Sequence, residues 1–419
     1  METTEKRNIR RYYLRYILYS AAGALITGSI IQSFMLESGI SAGLVSVYTG
    51  VIQITQAAAM ILLAPRVEKA RSLIRLNAMS SLGLIPMFLT VFLLCVRQGI
   101  PVNTRYLLMT AAGIIAYIAY AVIGIIEYKL PYSIIDMKHY GEVVSIAGMF
   151  IGLASLLPSV LLSFFIRRFD YFRCMQFFIL AGLVLLVLSI FVGLSYEDIS
   201  VQNLASQSLA ESDRINKQPE KKISLFTYPP FVKLFLPNLL RGYATGTFGL
   251  MTTVGYYYGI INAESASWMA IAGYVMVMLG CVIYARMSRF RKDGWIILIS
   301  SILLCLCMPL MMFTKSPVVY LLLYAAGTLF RDFVDYACPV AITYIVDYEV
   351  MGQFSSWRLA LYMGGGALAG VALVPMLEHL GGPLTMMING AAFVVMGLGY
   401  FLMMREKRSA AGESPDVSR

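Results

Sequence analysis

Six ionisable residues are the clearest cases of charged side chains within long apolar runs of the sequence, where such side chains are rare. They are Glu127, Lys129, Arg241, Arg331, Asp332 and Asp335. A charged side chain at the centre of a bilayer-spanning helix costs about 2.5–3.5 kcal/mol on insertion scales, so each one needs a partner or a function. Three are basic and three are acidic. The set therefore predicts internal ion pairs, or groups that bind a polar solute or carry a proton.

The spacing of these residues restricts which of them can pair within one helix. Arg331 and Asp335 are four positions apart, so they share a helix face and are predicted to pair directly. Asp332 points to another face and is expected to meet Arg241 from a different helix.

Glu127 and Lys129 are two positions apart and cannot face each other on a helix. Each needs a partner on another helix, water or a solute. Two interpretations remain open for all six charges. They can be ion pairs that hold helices in register, or they can handle solute and protons.

The composition identifies the elements that must position these charges. Of 419 residues, 59% are hydrophobic and only 13% are charged, and the mean hydropathy is +0.73. Soluble domains contain roughly 45–50% apolar and about 25% charged residues. This excess of apolar residues excludes a soluble enzyme, a disordered chain and a secreted disulfide scaffold. The net charge of +10 is explained by basic cytoplasmic loops and does not predict a nucleic-acid partner.

Twelve apolar runs are each long enough to cross a bilayer, which takes about 20 residues. The first is too long for a cleavable signal, and no small-residue cleavage site follows it. We number the runs as spans 1 to 12. They cover residues 14–36, 41–64, 74–96, 106–130, 142–166, 174–195, 231–258, 266–285, 294–313, 318–345, 357–377 and 383–404.

Lys and Arg are concentrated in the segments that share a side with the N-terminus. Basic residues in short loops mark the cytoplasmic side of a membrane protein. The sequence therefore predicts a multi-pass protein of a plasma membrane, of the bacterial inner-membrane type, with both termini in the cytoplasm.

Short motifs recur in the two halves of the chain in the same order. The pattern acid-Tyr-x-x-Pro occurs at Glu127–Pro131 and again at Asp335–Pro339. Two glycines four apart, followed by a proline, occur at 148–158 and again at 366–375. The repetition indicates an internal duplication.

The longest hydrophilic stretch separates the two copies. It is charged, polar and without periodicity, which is typical of a linker. The predicted organisation is a six-helix bundle at 1–195, a cytoplasmic linker at 196–228, a second six-helix bundle at 229–408 and a flexible cytoplasmic tail at 409–419.

The basic loops after spans 2 and 8 resemble the signature of the major facilitator superfamily. The loops are Pro65–Arg71 and Ser288–Lys292, and the aspartate of the signature is replaced by Pro65 and Ser288. The resemblance implies an all-α membrane protein with 12 transmembrane helices, in two six-helix halves related by pseudo-twofold symmetry about the membrane normal. In this fold, spans 1, 4, 7 and 10 line a central cavity, and these spans include the three that carry the six charges.

A narrower resemblance links the stretch after span 10 to the glycoside–pentoside–hexuronide cation symporters. It rests on Val346–Glu349, Gly352 and Arg358. In that family an acidic residue two positions before the proline of helix 4 helps to hold the coupling cation, and here Lys129 occupies the position. The superfamily resemblance also implies a cytoplasmic gate. The gate candidates are Arg66, Arg289, Asp136 and Asp347.

Uncharged polar residues within the spans complete the predicted cavity. We single out Gln32, Gln53, Asn238 and Tyr243. Amide, hydroxyl and aromatic groups suit a polyhydroxylated or amphipathic solute, whereas any one of them can instead form a helix–helix hydrogen bond.

Several chemistries have no motif in the sequence. There is no phosphate-binding GxxxxGK[ST] loop, no HExxH and no GxSxG. The six cysteines form no CxxC pair, and the two histidines lie far apart in the sequence. We therefore expect no enzyme activity, no metal and no cofactor.

Together, the resemblance and the charges predict a secondary active transporter of a small organic solute, with a sugar or glycoside favoured. Glu127 and Asp335, the repeat-related acids, are the candidates for proton coupling. The expected partners are the solute, a proton or another monovalent cation, and the bilayer, with a monomer as the default. One alternative is a proton-coupled exporter of amphipathic drugs or metabolites. Another is a solute sensor that has the fold of a transporter and does not transport.

Overall fold

The computed structural model of the chain describes residues 2–68, 70, 72–127, 130, 134–135, 140–198, 225–287, 293–346 and 351–410. Over these residues its regular structure is entirely helical, with no strand. Eleven helices in this part of the chain are long and apolar enough to cross a membrane. The remaining one of the twelve predicted spans, span 7, consists of two helices of 21 and 7 residues.

The first six spans follow the predicted order. Span 1 begins earlier than predicted, because Asn8 and Tyr12 bury one face of the helix while Arg7 stays exposed on the other. The observed bounds are Glu2–Ala24 and Gly28–Glu37 for span 1, Ala42–Glu68 for span 2, and Leu73–Ser81, Leu82–Leu84 and Ile85–Val96 for span 3. Those of spans 4, 5 and 6 are Val102–Glu127, Tyr140–Ile166 and Tyr171–Leu194.

The last six spans follow a short 3-10 turn at Leu225–Thr227. The observed bounds are Pro229–Gly249 and Met251–Tyr257 for span 7, Ala263–Met287 for span 8, Asp293–Phe313 for span 9, Pro317–Ile345 for span 10, Met351–Leu380 for span 11 and Gly382–Ala410 for span 12.

Residue contacts divide the chain into two compact units. The first contains 1–31 and 58–221, and the second contains 32–57 and 222–419. Within the second unit, 32–57 packs against spans 7 and 11. The predicted division into bundles at 1–195 and 229–408 stays a prediction.

Glycines allow the backbones of spans 7 and 11 to touch. A Cβ atom on Gly242 would lie 1.8 Å from the carbonyl oxygen of Tyr362, and one on Gly246 would lie 2.7 Å from the Cα of Gly366. Small residues four apart permit such close helix contact. The spacing of Gly242 and Gly246 in the sequence therefore matches a packing face.

The opposite side of span 11 contacts span 2 just as closely. A Cβ on Gly370 would lie 2.4 Å from the backbone nitrogen of Gly50. The Ser46 hydroxyl donates a hydrogen bond of 2.6 Å to the Gly370 carbonyl. Span 11 is therefore held between spans 2 and 7, which explains why 32–57 belongs to the second unit.

The core of the second unit is a continuous cluster of buried side chains from spans 7 to 12. Its largest fully buried members are aromatic: Phe248, Tyr320, Phe354, Phe393 and Tyr400. Phe248 stacks on Tyr324 with ring centroids 5.3 Å apart. This rigid aromatic core fixes spans 7 and 10, which carry the charged residues.

Candidate functional site

Four charged side chains form a continuous chain of contacts in the second unit. Arg241 of span 7 donates a hydrogen bond of 2.6 Å to the Oδ1 of Asp335. Arg331 donates to the Oδ1 of Asp332 at 2.7 and 3.1 Å, and its Nε lies 3.8 Å from the Oδ2 of Asp335. The charges therefore alternate in the order Asp332, Arg331, Asp335, Arg241. We call these four residues the ion-pair chain.

The observed partners differ from the predicted ones. Asp335, not Asp332, reaches Arg241. The predicted pair of Arg331 and Asp335 exists only at 3.8 Å, because the long arginine side chain folds back onto the adjacent Asp332. The prediction that Asp332 meets Arg241 was wrong, since spacing along one helix does not fix which face meets another helix.

The middle of the ion-pair chain is accessible and its ends are enclosed. Side-chain exposure is 29% for Asp335 and 21% for Arg331, against 9% for Arg241 and 6% for Asp332. A buried charge is tolerated when it is paired, and removing one partner of such a pair is strongly destabilising. Asp335 is thus the acid of the chain that solvent or a solute reaches most easily.

Aromatic rings support both arginines. The guanidinium carbon of Arg241 lies 5.1 Å from the ring centroid of Tyr362, and that of Arg331 lies 5.7 Å from the centroid of Phe248. Such cation–π contacts stabilise a guanidinium that has lost water. They also fix where each arginine can present its hydrogen-bond donors.

Two atoms of the ion-pair chain keep unused hydrogen-bonding capacity. Among the described residues, neither the Nε of Arg241 nor the Oδ2 of Asp332 has a hydrogen-bond partner, and both are buried. Buried polar groups are nearly always paired, so each of these atoms needs an explanation. A donor to the Oδ2 of Asp332 and an acceptor for the Nε of Arg241, supplied by water or a polar solute, would satisfy them.

Gln32 lies where span 7 is broken. The helix stops at Gly249 and resumes at Met251, which frees backbone carbonyls at the break. The Gln32 amide donates to the Gly249 carbonyl at 2.9 Å and accepts from the hydroxyl of Thr253 at 3.2 Å. The Tyr320 hydroxyl donates to the Met251 carbonyl at 2.7 Å. Gln32 therefore completes the backbone hydrogen bonding of a discontinuous span.

The other uncharged candidates are engaged in packing. Asn238 accepts a hydrogen bond of 2.6 Å from the hydroxyl of Tyr400 and donates one of 2.7 Å to the Leu234 carbonyl. Tyr243 contacts the sulfur of Met376 at 3.3 Å. These contacts fit the helix–helix interpretation of both residues.

Gln53 rests on the backbone of span 11. A Cβ on Gly366 would lie 2.0 Å from the Oε1 of Gln53, and within the described part of the chain that oxygen has no hydrogen-bond partner. Because Gly366 has no side chain, the amide of Gln53 can lie against the helix. Its buried, unused acceptor keeps Gln53 as a candidate for solute binding.

The first unit contains a second arginine and acid that face each other. Arg15 of span 1 and the phenol of Tyr16 face the carboxylate of Glu127, at the end of span 4. Arg15 is only 3% exposed, and its guanidinium carbon lies 6.0 Å from the rings of both Tyr16 and Tyr19. Gly193 leaves room for it, since a Cβ there would lie 3.0 Å from the Nε of Arg15.

The sequence does not reveal the burial of Arg15, which stands among the basic residues near the N-terminus. Asn8 was also missed, although it is fully buried and makes three hydrogen bonds. Asn8 donates to the carbonyls of Ile134 at 3.0 Å and Glu197 at 2.8 Å, and it accepts from the Glu197 amide at 3.1 Å. Asn8 and Tyr12 recur at helical spacing with Arg15, and this pattern could have revealed the buried face.

Tyr196 closes the same region, just beyond the end of span 6. Burial raises the pKa of Tyr196 to about 12, and nearby Arg15 partly offsets this effect. The phenol therefore stays protonated at neutral pH and can act as a donor toward the region around Glu127.

Four predicted residues lie outside the described residues: Lys129, Asp136, Arg289 and Asp347. Arg66 is exposed near the end of span 2. Within the described part of the chain, no group of three or more His, Cys, Asp or Glu side chains could hold a metal ion.

The fold has clear counterparts among solved structures. The sequence matches no protein-family model and no curated protein. A structure of a D-xylose–proton symporter is similar over 97% of this chain and 99% of its own, with a TM-score of 0.72 and 14% identity. An inward-open structure of the xylose transporter XylE from E. coli covers 96% and 98%, with a TM-score of 0.67 and 12% identity.

A third structure, of a variant of the nucleoside transporter NupG, covers 95% of this chain and 99% of its own, with a TM-score of 0.68 and 13% identity. All three structures are of transporters. The chain is a multi-pass membrane protein with the major facilitator fold, and the predicted fold class is confirmed.

Proposed function

We propose that this protein is a secondary active transporter that moves a small organic solute across a plasma membrane by alternating access, driven by a proton gradient. The observation that carries the proposal is the ion-pair chain, a neutral set of four charges with an accessible centre at Asp335 and Arg331. Intramembrane ionisable residues are functional by default, and proton relays are among their commonest functions.

The similarity to a D-xylose–proton symporter supports a sugar or glycoside as the solute and a proton as the coupling ion. The similarity to a nucleoside transporter is compatible with a polar solute of that size. In this proposal the protein is a monomer with both termini in the cytoplasm, and another monovalent cation is the alternative to the proton.

Asp335 is the main candidate for proton coupling. It is the most accessible acid of the ion-pair chain and holds Arg241 through a bond of 2.6 Å. Protonation neutralises the carboxylate and weakens this bond, which changes the interaction between spans 7 and 10. Glu127, which faces Arg15 in the first unit, is the second candidate.

Alternating access also requires a gate that closes on the cytoplasmic side. We propose Arg66, Arg289, Asp136 and Asp347 for this role, on the basis of the sequence resemblance. Charged residues at the ends of the spans can form ion pairs in one state that separate in the other.

The first experiment measures solute-driven proton movement. Purified protein is reconstituted into liposomes that contain a trapped pH-sensitive dye, and sugars, glycosides, amino acids and organic acids are added outside in turn. We expect at least one solute to acidify the lumen, and Asp335→Asn to abolish the signal.

Glu406→Gln is the matched control for this substitution. It removes an acid from an exposed pair with Lys233, whose atoms are 2.7 Å apart, and is expected to leave transport unchanged. If Glu127→Gln and Asp335→Asn both leave gradient-driven uptake intact, the proposed proton coupling is wrong. Solute binding without any uptake would instead support the sensor.

A further inference from the structure

The ion-pair chain is neutral only while Asp335 is ionised. Two guanidinium groups face two carboxylates, and the ion pair of Arg241 is with Asp335. The titratable and charged groups around the chain come from four spans. Among the described residues they are Tyr324, Tyr336 and Cys338 of span 10, Cys281 of span 8, Tyr362 and Arg358 of span 11, and Tyr400 of span 12.

Within the described part of the chain, these surroundings add positive charge and no further acid. The tyrosines and cysteines are neutral in their ordinary protonated forms. Arg358 faces the same Cys338 and Tyr400 side chains as Arg241 does. The described residues form no ion pair with Arg358, and its buried Nε has no hydrogen-bond partner among them.

A proton on Asp335 therefore leaves Arg241 without a counter-charge. Arg241 is only 9% exposed, and an uncompensated buried charge is strongly unfavourable. Arg331 keeps Asp332 at 2.7 Å, so the new positive charge is centred on Arg241. Uptake of one proton at Asp335 thus creates a site for one anion.

The Asp335 side chain shows which anion fits. Its two oxygens lie 2.6 Å from Arg241 and 3.8 Å from Arg331. A carboxylate of a solute has the same shape and charge, and the planar guanidinium group of arginine matches it with paired hydrogen bonds. Both Asp335 and Arg331 are partly exposed, so a solute can reach this position.

We propose that the solute carries one carboxylate, which replaces the Asp335 carboxylate at Arg241 once Asp335 is protonated. This inference rests on the proposed proton-coupled transport and names the solute class of the same site. One proton and one monoanion then move together, so transport is electroneutral. If the solute in the same site were neutral, each transport cycle would move the positive charge of the proton across the membrane.

A matched pair of solutes tests the proposal directly. D-gluconate and D-glucitol have the same six-carbon polyol chain and differ by a carboxylate in place of a terminal CH2OH group. L-lactate and propane-1,2-diol form a shorter pair. Each solute is added to proteoliposomes with a trapped pH dye, at zero potential and at an imposed potential, with protein-free liposomes as the blank.

We expect a carboxylate, but not its neutral partner, to acidify the lumen, at the same rate at both potentials. If a neutral polyol or sugar drives protons and the carboxylates do not, the carboxylate inference is wrong while the proposed function stands. If no solute of the full panel moves protons, both are wrong.

A second measurement does not depend on finding the transported solute. Asp335→Asn removes the acid and leaves Arg241 in need of an anion, so acetate should raise the Tm of this variant more than that of the wild type. Acetamide, which is neutral and of similar shape, should not. The double variant Arg241→Gln/Asp335→Asn lacks both charges and should lose the acetate effect.

The pH dependence provides a check if Asp335→Asn does not fold. One proton taken up with each anion makes the apparent affinity of the wild type fall up to tenfold per pH unit, wherever Asp335 is ionised in the free protein and protonated in the complex. Acetate should therefore stabilise the wild type more at pH 5.5 than at pH 8. An equal effect of acetate and acetamide, or an effect independent of pH, would overturn the proposal.

Discussion

The contact of Gly242 with span 11 leads to a sharp prediction of stability. In Gly242→Ala the new Cβ would lie 1.8 Å from the Tyr362 carbonyl oxygen, 2.6 Å from its carbonyl carbon and 2.7 Å from its Cα. Ordinary van der Waals contact begins at 3.4 Å, so the backbones of spans 7 and 11 must separate by about 1.6 Å. Overpacking of this kind lowers the free energy of unfolding by about 1–3 kcal/mol. We expect the upper end of this range, because backbone atoms cannot move aside as a side chain can.

Gly364, on the facing span 11, is a matched control. A Cβ there would meet nothing within 4 Å. Gly364→Ala is therefore expected to raise the free energy of unfolding by up to about 1 kcal/mol, because alanine has a better helix propensity than glycine.

Thermal unfolding of purified variants in one detergent measures the difference. At roughly 2–4 °C per kcal/mol, Gly242→Ala should melt about 8 °C below Gly364→Ala. Equal melting temperatures would show that spans 7 and 11 are not in backbone contact at this point. Gly242→Ala should also weaken solute binding, because Tyr362 supports Arg241 at 5.1 Å.

Three further substitutions test other contacts of the structure by the same melting assay. Arg241→Gln breaks a buried pair and should lower the free energy of unfolding by about 3–5 kcal/mol. The double variant Arg241→Gln/Asp335→Asn should recover part of this loss. Additive losses in the double variant would contradict the pairing. Gln32→Ala leaves a buried carbonyl at the break of span 7 and should cost about 1–3 kcal/mol; no change would mean that water replaces the amide. Asn8→Ala removes three hydrogen bonds and should cost about 2–3 kcal/mol, with exposed Arg10→Ala as the neutral control.

The number and order of the spans could be predicted because the bilayer sets the length of a helix that crosses it. The contact face of Gly242 and Gly246 could be predicted because residues four apart lie on one side of a helix. The charged residues of the site were found for a similar reason, since few charges occur within apolar runs.

The partners of these charges could not be predicted from spacing. Whether Asp332 or Asp335 reaches Arg241 depends on the rotation of span 10 against span 7, which the core packing decides. The burial of Arg15 was missed because a count of basic residues does not distinguish an enclosed arginine from an exposed one. The association of 32–57 with the second unit depends on contacts with Gly366 and Gly370, far away in the sequence.

The two units repeat one arrangement of arginine and acid. Arg15 precedes the end of the first helix of span 1 by nine residues, and Arg241 precedes the end of the first helix of span 7 by eight. Each faces the repeat-related acid of its own unit, Glu127 or Asp335. The internal duplication thus accounts for both pairs, which chain order alone did not reveal.

The two copies nevertheless differ in the space around the arginine. Arg15 is only 3% exposed and lies beside two tyrosine rings and Gly193, so a second anion reaches it less easily. Asp335 is 29% exposed, so a solute can replace it. If the carboxylate inference is correct, each chain binds one solute and not two. Equilibrium binding of radiolabelled solute to purified protein should therefore saturate at one per chain, and Arg241→Gln should abolish binding. Saturation at two per chain would show that the copy in the first unit also opens to solute, and would refute the distinction drawn from its packing.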